Sequence, residues 1–152
     1  MSVLRTLLVS ASAALVMAGC ASGPSYKEVA GTFPAVKPDS GRIFFFRSNS
    51  MVGAALQPDI RLNDEVVGES KPGGFFFIDK PAGKYTVATA TETEKTLSFA
   101  LDSGETKYVR TSPAAGVMVG RVEPTLETPD VGQKEVEELH FTGGAKAPQE
   151  KK

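Results

Sequence analysis

Residues 41–48 read GRIFFFRS, and thirty residues on, 73–79 read GGFFFID. The two Phe triplets, Phe44 to Phe46 and Phe75 to Phe77, hold six of the nine Phe in a chain of 152 residues. In an extended strand, neighbouring side chains point to opposite faces. Phe44 and Phe46 therefore oppose Ile43 and Phe45, while Phe75 and Phe77 oppose Phe76 and Ile78. A strand with one wet face alternates apolar and polar residues, and neither triplet does. Both strands need cover on both faces and read as central strands of a folded domain. A second sheet supplies cover on one side only. The C-terminal helix, apolar loops or a partner must supply the other. The flanks of the triplets do not match, so they are not a repeat.

Around these strands the chain is divided by turn signals at short intervals. Ile60–Asn63 and Val66–Gly68 flank Asn63-Asp64, a two-residue hairpin turn of residue types that tolerate positive φ. Lys71-Pro72-Gly73-Gly74 and Pro81-Ala82-Gly83 are turns, each leading into a strand. In KTLSFALD (95–102), Leu97, Phe99 and Leu101 share one face with Thr96, Ser98 and Ala100 opposite, the pattern of a half-buried strand. ETKYVRTS (105–112) and an apolar stretch from Gly116 to Val122 complete the strands. The segment DVGQKEVEELH (130–140) reads as a short helix with a start resembling a capping box at Asp130 and Gln133, Val136 and Leu139 sharing a face. A final strand is the alternative for the same residues. The expected fold is all-β, an antiparallel β-sandwich of about eight strands with one short C-terminal helix. A barrel is the rival architecture.

The N-terminus carries a different signal. Arg5 precedes an apolar run from Leu7 to Met17, too short to span a bilayer, which takes about 20 apolar residues. Small residues follow, as in a secretory signal peptide. Met17-Ala18-Gly19-Cys20 resembles the lipobox of bacterial lipoproteins. That resemblance implies a diacylglyceryl group on the Cys20 thiol and cleavage by signal peptidase II between Gly19 and Cys20. Cys20 is the only cysteine, so no intrachain disulfide can form, and lipidation would consume the lone thiol. Two or three acyl chains anchor firmly where one binds only marginally. Ala21 in place of Asp implies sorting to the outer membrane, on its periplasmic face. The expected organisation is a signal peptide over 1–19, a lipidated Cys20 with a flexible linker over 20–40, a sandwich domain over 41–142 and a disordered tail over 143–152. As a free chain, the linker would reach roughly 25 Å, but Tyr26 and Phe33 could dock, so it need not be fully free.

GRIFFFR (41–47), PDIRLNDEVVG (58–68), GGFFFID (73–79), PAGKYTV (81–87) and GETKYVR (104–110) together resemble a family of small bacterial lipoproteins that carries a domain of unknown function (DUF2846 type). Its pattern is a Gly-Arg-aliphatic-aromatic strand, a Leu-Asn-Gly-x-x-Val-Gly hairpin and a Pro-Gly-x-Tyr turn. This chain has Asp64 where the hairpin carries Gly, and Ala82 inside the Pro-Gly turn. The resemblance spans about residues 41–141, and its motifs are structural. The segment 81–87 is also similar to transthyretin-like and surface-layer sandwich modules.

The charge balance, 17 basic against 18 acidic side chains, lacks the basic footprint of a nucleic-acid binder and the cationic cluster that grips anionic lipid heads. No metal, cofactor or catalytic activity is expected. His140, the only histidine, has Glu137 and Glu138 beside it, but a metal site needs three or four converging ligands. Glu123, Glu127 and Asp130 lie in a Pro-containing acidic loop, and an enzyme would require Glu127, Asp130 and His140 to converge. SMVGAALQ (50–57) and PAAGVMVG (113–120) mix Met with small residues, as pliable binding surfaces do. The favoured reading buries Val117 to Val122 as a strand and packs Met51 to Leu56 over the core. In the other, the two segments meet in an apolar groove that binds a ligand or partner through Met51, Leu56 and Met118. The expected role is a lipid-anchored structural or interaction module, held to the membrane through Cys20 and meeting an envelope protein partner. The alternative is a periplasmic binder of a small apolar ligand or a cell-wall fragment.

Overall fold

The computed structural model describes residues 20–143. The expected signal peptide, and the expected tail from residue 144 onward, lie outside the described residues. Nine strands form two sheets: β1 (Ser40–Phe46), β2 (Asp59–Leu62), β3 (Glu65–Glu69), β4 (Gly74–Pro81), β5 (Gly83–Ala90), β6 (Glu94–Leu101), β7 (Thr106–Ala114), β8 (Arg121–Glu127) and β9 (His140–Phe141). One sheet has the order β8-β7-β1-β4-β9 and the other β3-β2-β5-β6. Helix α1 (Tyr26–Val29) precedes β1, and α2 (Pro129–Val136) lies between β8 and β9.

The triplets lie side by side. β1 and β4 are antiparallel, with Phe44 opposite Phe77, Phe45 opposite Phe76 and Phe46 opposite Phe75. Two cores result from the alternation. Ile43, Phe45 and Phe76 join Ile60, Leu62, Val67, Val87, Leu101 and Val109 between the sheets. Phe44, Phe46 and Phe75 join Tyr108, Val136 and Leu139 on the outer face. Phe45 and Phe76 stack with centroids 5.0 Å apart, and Phe44 stacks on Tyr108 at 5.2 Å.

The sandwich is not wholly antiparallel as expected. β7 runs parallel to β1, and β9 parallel to β4, so the five-stranded sheet is mixed. The reason is topological. β1 and β7 are joined through the whole second sheet, and such a long crossover can return a strand in the parallel sense. The Asn63-Asp64 hairpin forms as read, with φ of 47° and 67° and Leu62 paired to Glu65.

The outer Phe face is covered by two segments. One is α2 with its exit, through Val136 and Leu139; the other is residues 20–40, expected to be a flexible linker. Phe33 lies 4.6 Å from the Phe77 ring and Tyr26 5.6 Å from Phe75. The Arg42 guanidinium forks onto Asp79 at 2.7 and 2.8 Å, donates to the Pro34 carbonyl at 2.6 Å, and sits over Phe77. Tyr26 N–H donates to Leu139 O, and Ala21 N–H to Pro72 O. The segment is folded down along its length.

The helix in 130–140 starts earlier and stops sooner than its sequence reading. Thr128 is the N-cap and Pro129 opens the helix, a position where its missing N–H costs nothing. Asp130 and Gln133 do not cap it. His140 belongs to β9 and pairs with Gly74, so both readings of this segment hold in turn, helix and then strand. Among the described residues, no helix is long and apolar enough to cross a membrane.

Candidate functional site

β1 ends at Phe46, opposite Arg110 of the parallel β7 and Phe75 of the antiparallel β4. The loop after β1 (47–58), the loop after β7 (115–120) and the turn before β4 (70–73) therefore emerge at one end of the sandwich. The 91–93 turn joins them there, because Glu92 binds the 115–120 loop. This end carries the apolar segments singled out in the sequence.

The two segments do meet. Pro113 packs so close to Gly53 that a Cβ on that glycine would lie 2.6 Å from its ring, and Leu56 crowds Gly120 in the same way at 3.0 Å. Leu56 is half-buried at the junction, while Met51 and Met118 face outward, 82% and 85% exposed. The expected burial of Val117 to Val122 is corrected by the structure. Val117, Met118 and Val119 are exposed at the tip of a loop, and only Val122 enters the core, in β8. An apolar run alone does not distinguish a buried strand from a loop tip. What decides it here is that β7 reaches Ala114 before the chain turns. The result is a convex apolar end formed by Met51, Val52, Val117, Met118 and Val119, where the sequence reading offered a groove.

Both loops are held from beneath. Arg47, 2% exposed, donates to the carbonyls of Gly53 (2.7 Å), Leu56 and Ser70 (3.2 Å). Burial pushes its pKa down, yet a guanidinium stays charged and its donors are met by backbone carbonyls. Glu92 accepts the N–H groups of Val117 (2.8 Å), Met118 (2.8 Å) and Val119 (3.1 Å). These three bonds hold its pKa down to about 2 from an ordinary 4.5, with Arg121 adding a smaller pull. Gly116 is required by the clasp, since a Cβ there would lie 2.0 Å from the Glu92 carboxylate. Gly120, at φ 100°, provides the left-handed bend that returns the chain to β8. Sequence reasoning missed Glu92. Its signal was a carboxylate in a tight turn, but the partners are backbone N–H groups that no motif records.

Cys20 is free, exposed and at the same end. Ala21 N–H donates to Pro72 O at 2.9 Å, which fixes Cys20 beside the turn that leads into β4. The proposed acid–base residues are not brought together. Glu127 lies on β8 and His140 on β9, opposite edges of the five-stranded sheet, four strand spacings or about 19 Å apart. Glu127 is engaged by Arg110, and Asp130 stands in the first turn of α2. The His140 ring Nδ1 meets the Gly23 carbonyl at 2.7 Å. No group of three or more His, Cys, Asp or Glu is placed to hold a metal among the described residues.

A second feature lies between α2 and the start of the 47–58 loop. A cleft of about 580 Å³ is lined by Ser48, Asn49, Val131, Lys134, Glu135, Glu138 and Leu139. Its floor is rigid. Arg110 forks onto Glu135 at 2.7 and 2.9 Å, reaches Ser48 at 2.7 Å and stacks over the Phe46 ring. The hydrogen bonds from Arg110 hold the Glu135 carboxyl below its ordinary pKa.

Residues 37–122, more than half of the chain, match a family described as a protein of unknown function (DUF2846). An uncharacterised protein of Haemophilus influenzae is 27% identical over 136 residues, a span that takes in 89% of this chain and 78% of the relative. No solved structure matches.

Proposed function

The chain belongs to the DUF2846 family of proteins of unknown function, and on that premise we propose that it is a lipid-anchored envelope protein of the bacterial outer membrane, facing the periplasm. Its β-sandwich is a structural or interaction module. The observation that carries this reading is Met17-Ala18-Gly19-Cys20 after a basic start and a short apolar run, with Cys20 exposed where acyl chains can attach. The described side chains are consistent with a non-catalytic role. The buried charged groups are spent on architecture: Arg42 on Asp79 and Pro34 O, Arg47 on loop carbonyls.

Cys20→Ala tests this directly. The variant should leave the membrane fraction and lose labelling by a clickable fatty acid. A variant that stays bound and labelled sinks the reading. The cleft beside α2 favours a second role, a carrier of a small ligand or cell-wall fragment, because its volume falls in the range of small-molecule sites. Native mass spectrometry of the Cys20→Ala chain would then show a retained mass, and a consistently bare chain would exclude that role.

A further inference from the structure

The apolar end and the anchoring cysteine share one end of the sandwich. Met51, Val52, Val117, Met118 and Val119 are 82, 71, 85, 85 and 64% exposed. Five large apolar side chains at adjacent loop tips are a contiguous patch of the kind that marks a contact surface. The lipid-bearing residue proposed above is held at this same end, beside the Pro72 turn that leads into β4. No slack tether separates it from the domain, since Ala21 is bonded to Pro72 and Tyr26 to Leu139.

We propose that the Met51–Val52 and Val117–Val119 tips are a bilayer-contact surface that enters the apolar edge of the same leaflet that holds the Cys20 acyl chains. The proposal rests on the lipid-anchor reading and adds to it a fixed orientation: the sandwich stands end-on, loops down. Three observations select lipid as the occupant. The first is the shared end, because an anchor held against the fold brings the bilayer to that surface before any other partner. The second is the backbone at the Val117–Val119 tip. In water three exposed N–H groups need no protein partner, whereas in an apolar medium each unmet group is costly. Here Glu92 satisfies all three from the protein side. The third is the rim. Behind the tips stand paired charges, Glu92 with Arg121, Lys95 with Glu123 and Lys71 with Glu69. Balanced pairs suit a headgroup layer and need no excess of anionic lipid. This contact is driven by apolar insertion, with which the near-neutral composition is compatible.

The test uses the full lipidated chain in vesicles of phosphatidylethanolamine and phosphatidylglycerol, with an environment-sensitive dye on a single introduced thiol. Met118→Cys and Met51→Cys report on the tips. Ser103→Cys reports on the opposite end, where Gly104 N–H donates to Ser40 O at the start of β1. The expected result is a blue shift and loss of emission to doxyl-labelled lipid at Met118→Cys and Met51→Cys, with neither at Ser103→Cys. No quenching at the tips of a membrane-bound chain, or equal quenching at all three sites, overturns the proposal. Thiol crosslinking of Met118→Cys between copies without quenching reassigns the surface to a second copy. Shielding of the dye in native membranes but not in vesicles reassigns it to an envelope protein. Dye uptake by the unsubstituted chain means that the Cys20 thiol is not lipidated, a failure of the anchor reading that is separable from failure at the tips.

Discussion

Phe33→Ala decides whether residues 20–40 belong to the fold. Phe33 is half-buried, 4.6 Å from Phe77 by ring centroids, 6.0 Å from Phe141, 6.3 Å from Phe44 and 6.4 Å from Phe75. Truncating a fully buried Phe costs about 3–5 kcal/mol, so a half-buried one loses roughly half of that. Its aromatic contacts add about 0.5–1.5 kcal/mol in all, for an expected loss of about 2–4 kcal/mol. For a domain of this size, that lowers Tm by roughly 8–16 °C. Urea and thermal unfolding of the full chain in a Cys20→Ala background would measure it, with Lys37→Ala, exposed in the same segment, as a control within about 0.5 kcal/mol. Should the segment undock before the domain unfolds, hydrogen exchange at the Tyr26 amide, bonded to Leu139 O, rises while the global transition stays put. A variant that changes neither the unfolding transition nor that amide refutes the docked segment, and with it the short reach between anchor and domain.

Two further outcomes follow from contacts already described. Gly132→Ala should destabilise by about 1–3 kcal/mol, because overpacking outweighs the roughly 1 kcal/mol gained in helix propensity. Its Cβ would lie 2.2 Å from Tyr108 Cγ, in the layer where α2 meets β7. An unchanged or raised Tm would show that α2 is not seated there. Glu92→Gln should loosen the 115–120 loop at neutral pH, seen as shifted, broadened amide resonances of Val117, Met118 and Val119 with an intact core. The carboxylate pKa is depressed, so the clasp is fully present above about 4.5 and is lost as pH falls toward 2. The unsubstituted loop should approach the Glu92→Gln spectrum over that window, and a spectrum unchanged down to pH 2 would contradict the clasp.

What the sequence disclosed was local. Period-two alternation in the Phe triplets predicted two covered faces, and the Asn63-Asp64 turn was legible because both residue types accept positive φ. Non-local features escaped. Parallel pairing of β1 with β7 joins residues more than sixty positions apart and leaves no mark on either strand. The docking of residues 20–40 rests on two aromatic residues in a Gly- and Pro-rich stretch and on backbone acceptors such as Pro34 O, which composition reads as a linker. Val117 to Val119 misled because hydrophobicity is evidence of burial only when something lies above the residue. Cys20, Met51, Leu56 and Met118 were singled out as candidates by residue type, but their gathering at one end depends on strand direction, which only the topology supplies.

The segment that carries Cys20, the proposed anchor site, also covers the outer Phe face. Phe44, Phe46, Phe75 and Phe77 fall within the family match at residues 37–122. Much of their cover, Tyr26, Val29 and Phe33 on one flank and Val136, Leu139 and Phe141 on the other, lies outside it. The flanks brace each other through Tyr26 N–H to Leu139 O and Phe141 N–H to Pro24 O. A pull on Cys20 is therefore transmitted first to Pro72, through Ala21, and then to the Tyr26–Phe33 layer. If that layer peels away, the domain gains up to roughly 25 Å of tether while an aromatic face opens on the mixed sheet. With the proposed anchor at Cys20, its reach and the exposure of the Phe face would be one equilibrium. Given the anchor proposed at Cys20, whatever stabilises the docked layer would keep the sandwich close to the bilayer, and whatever binds the exposed Phe face would lengthen the tether.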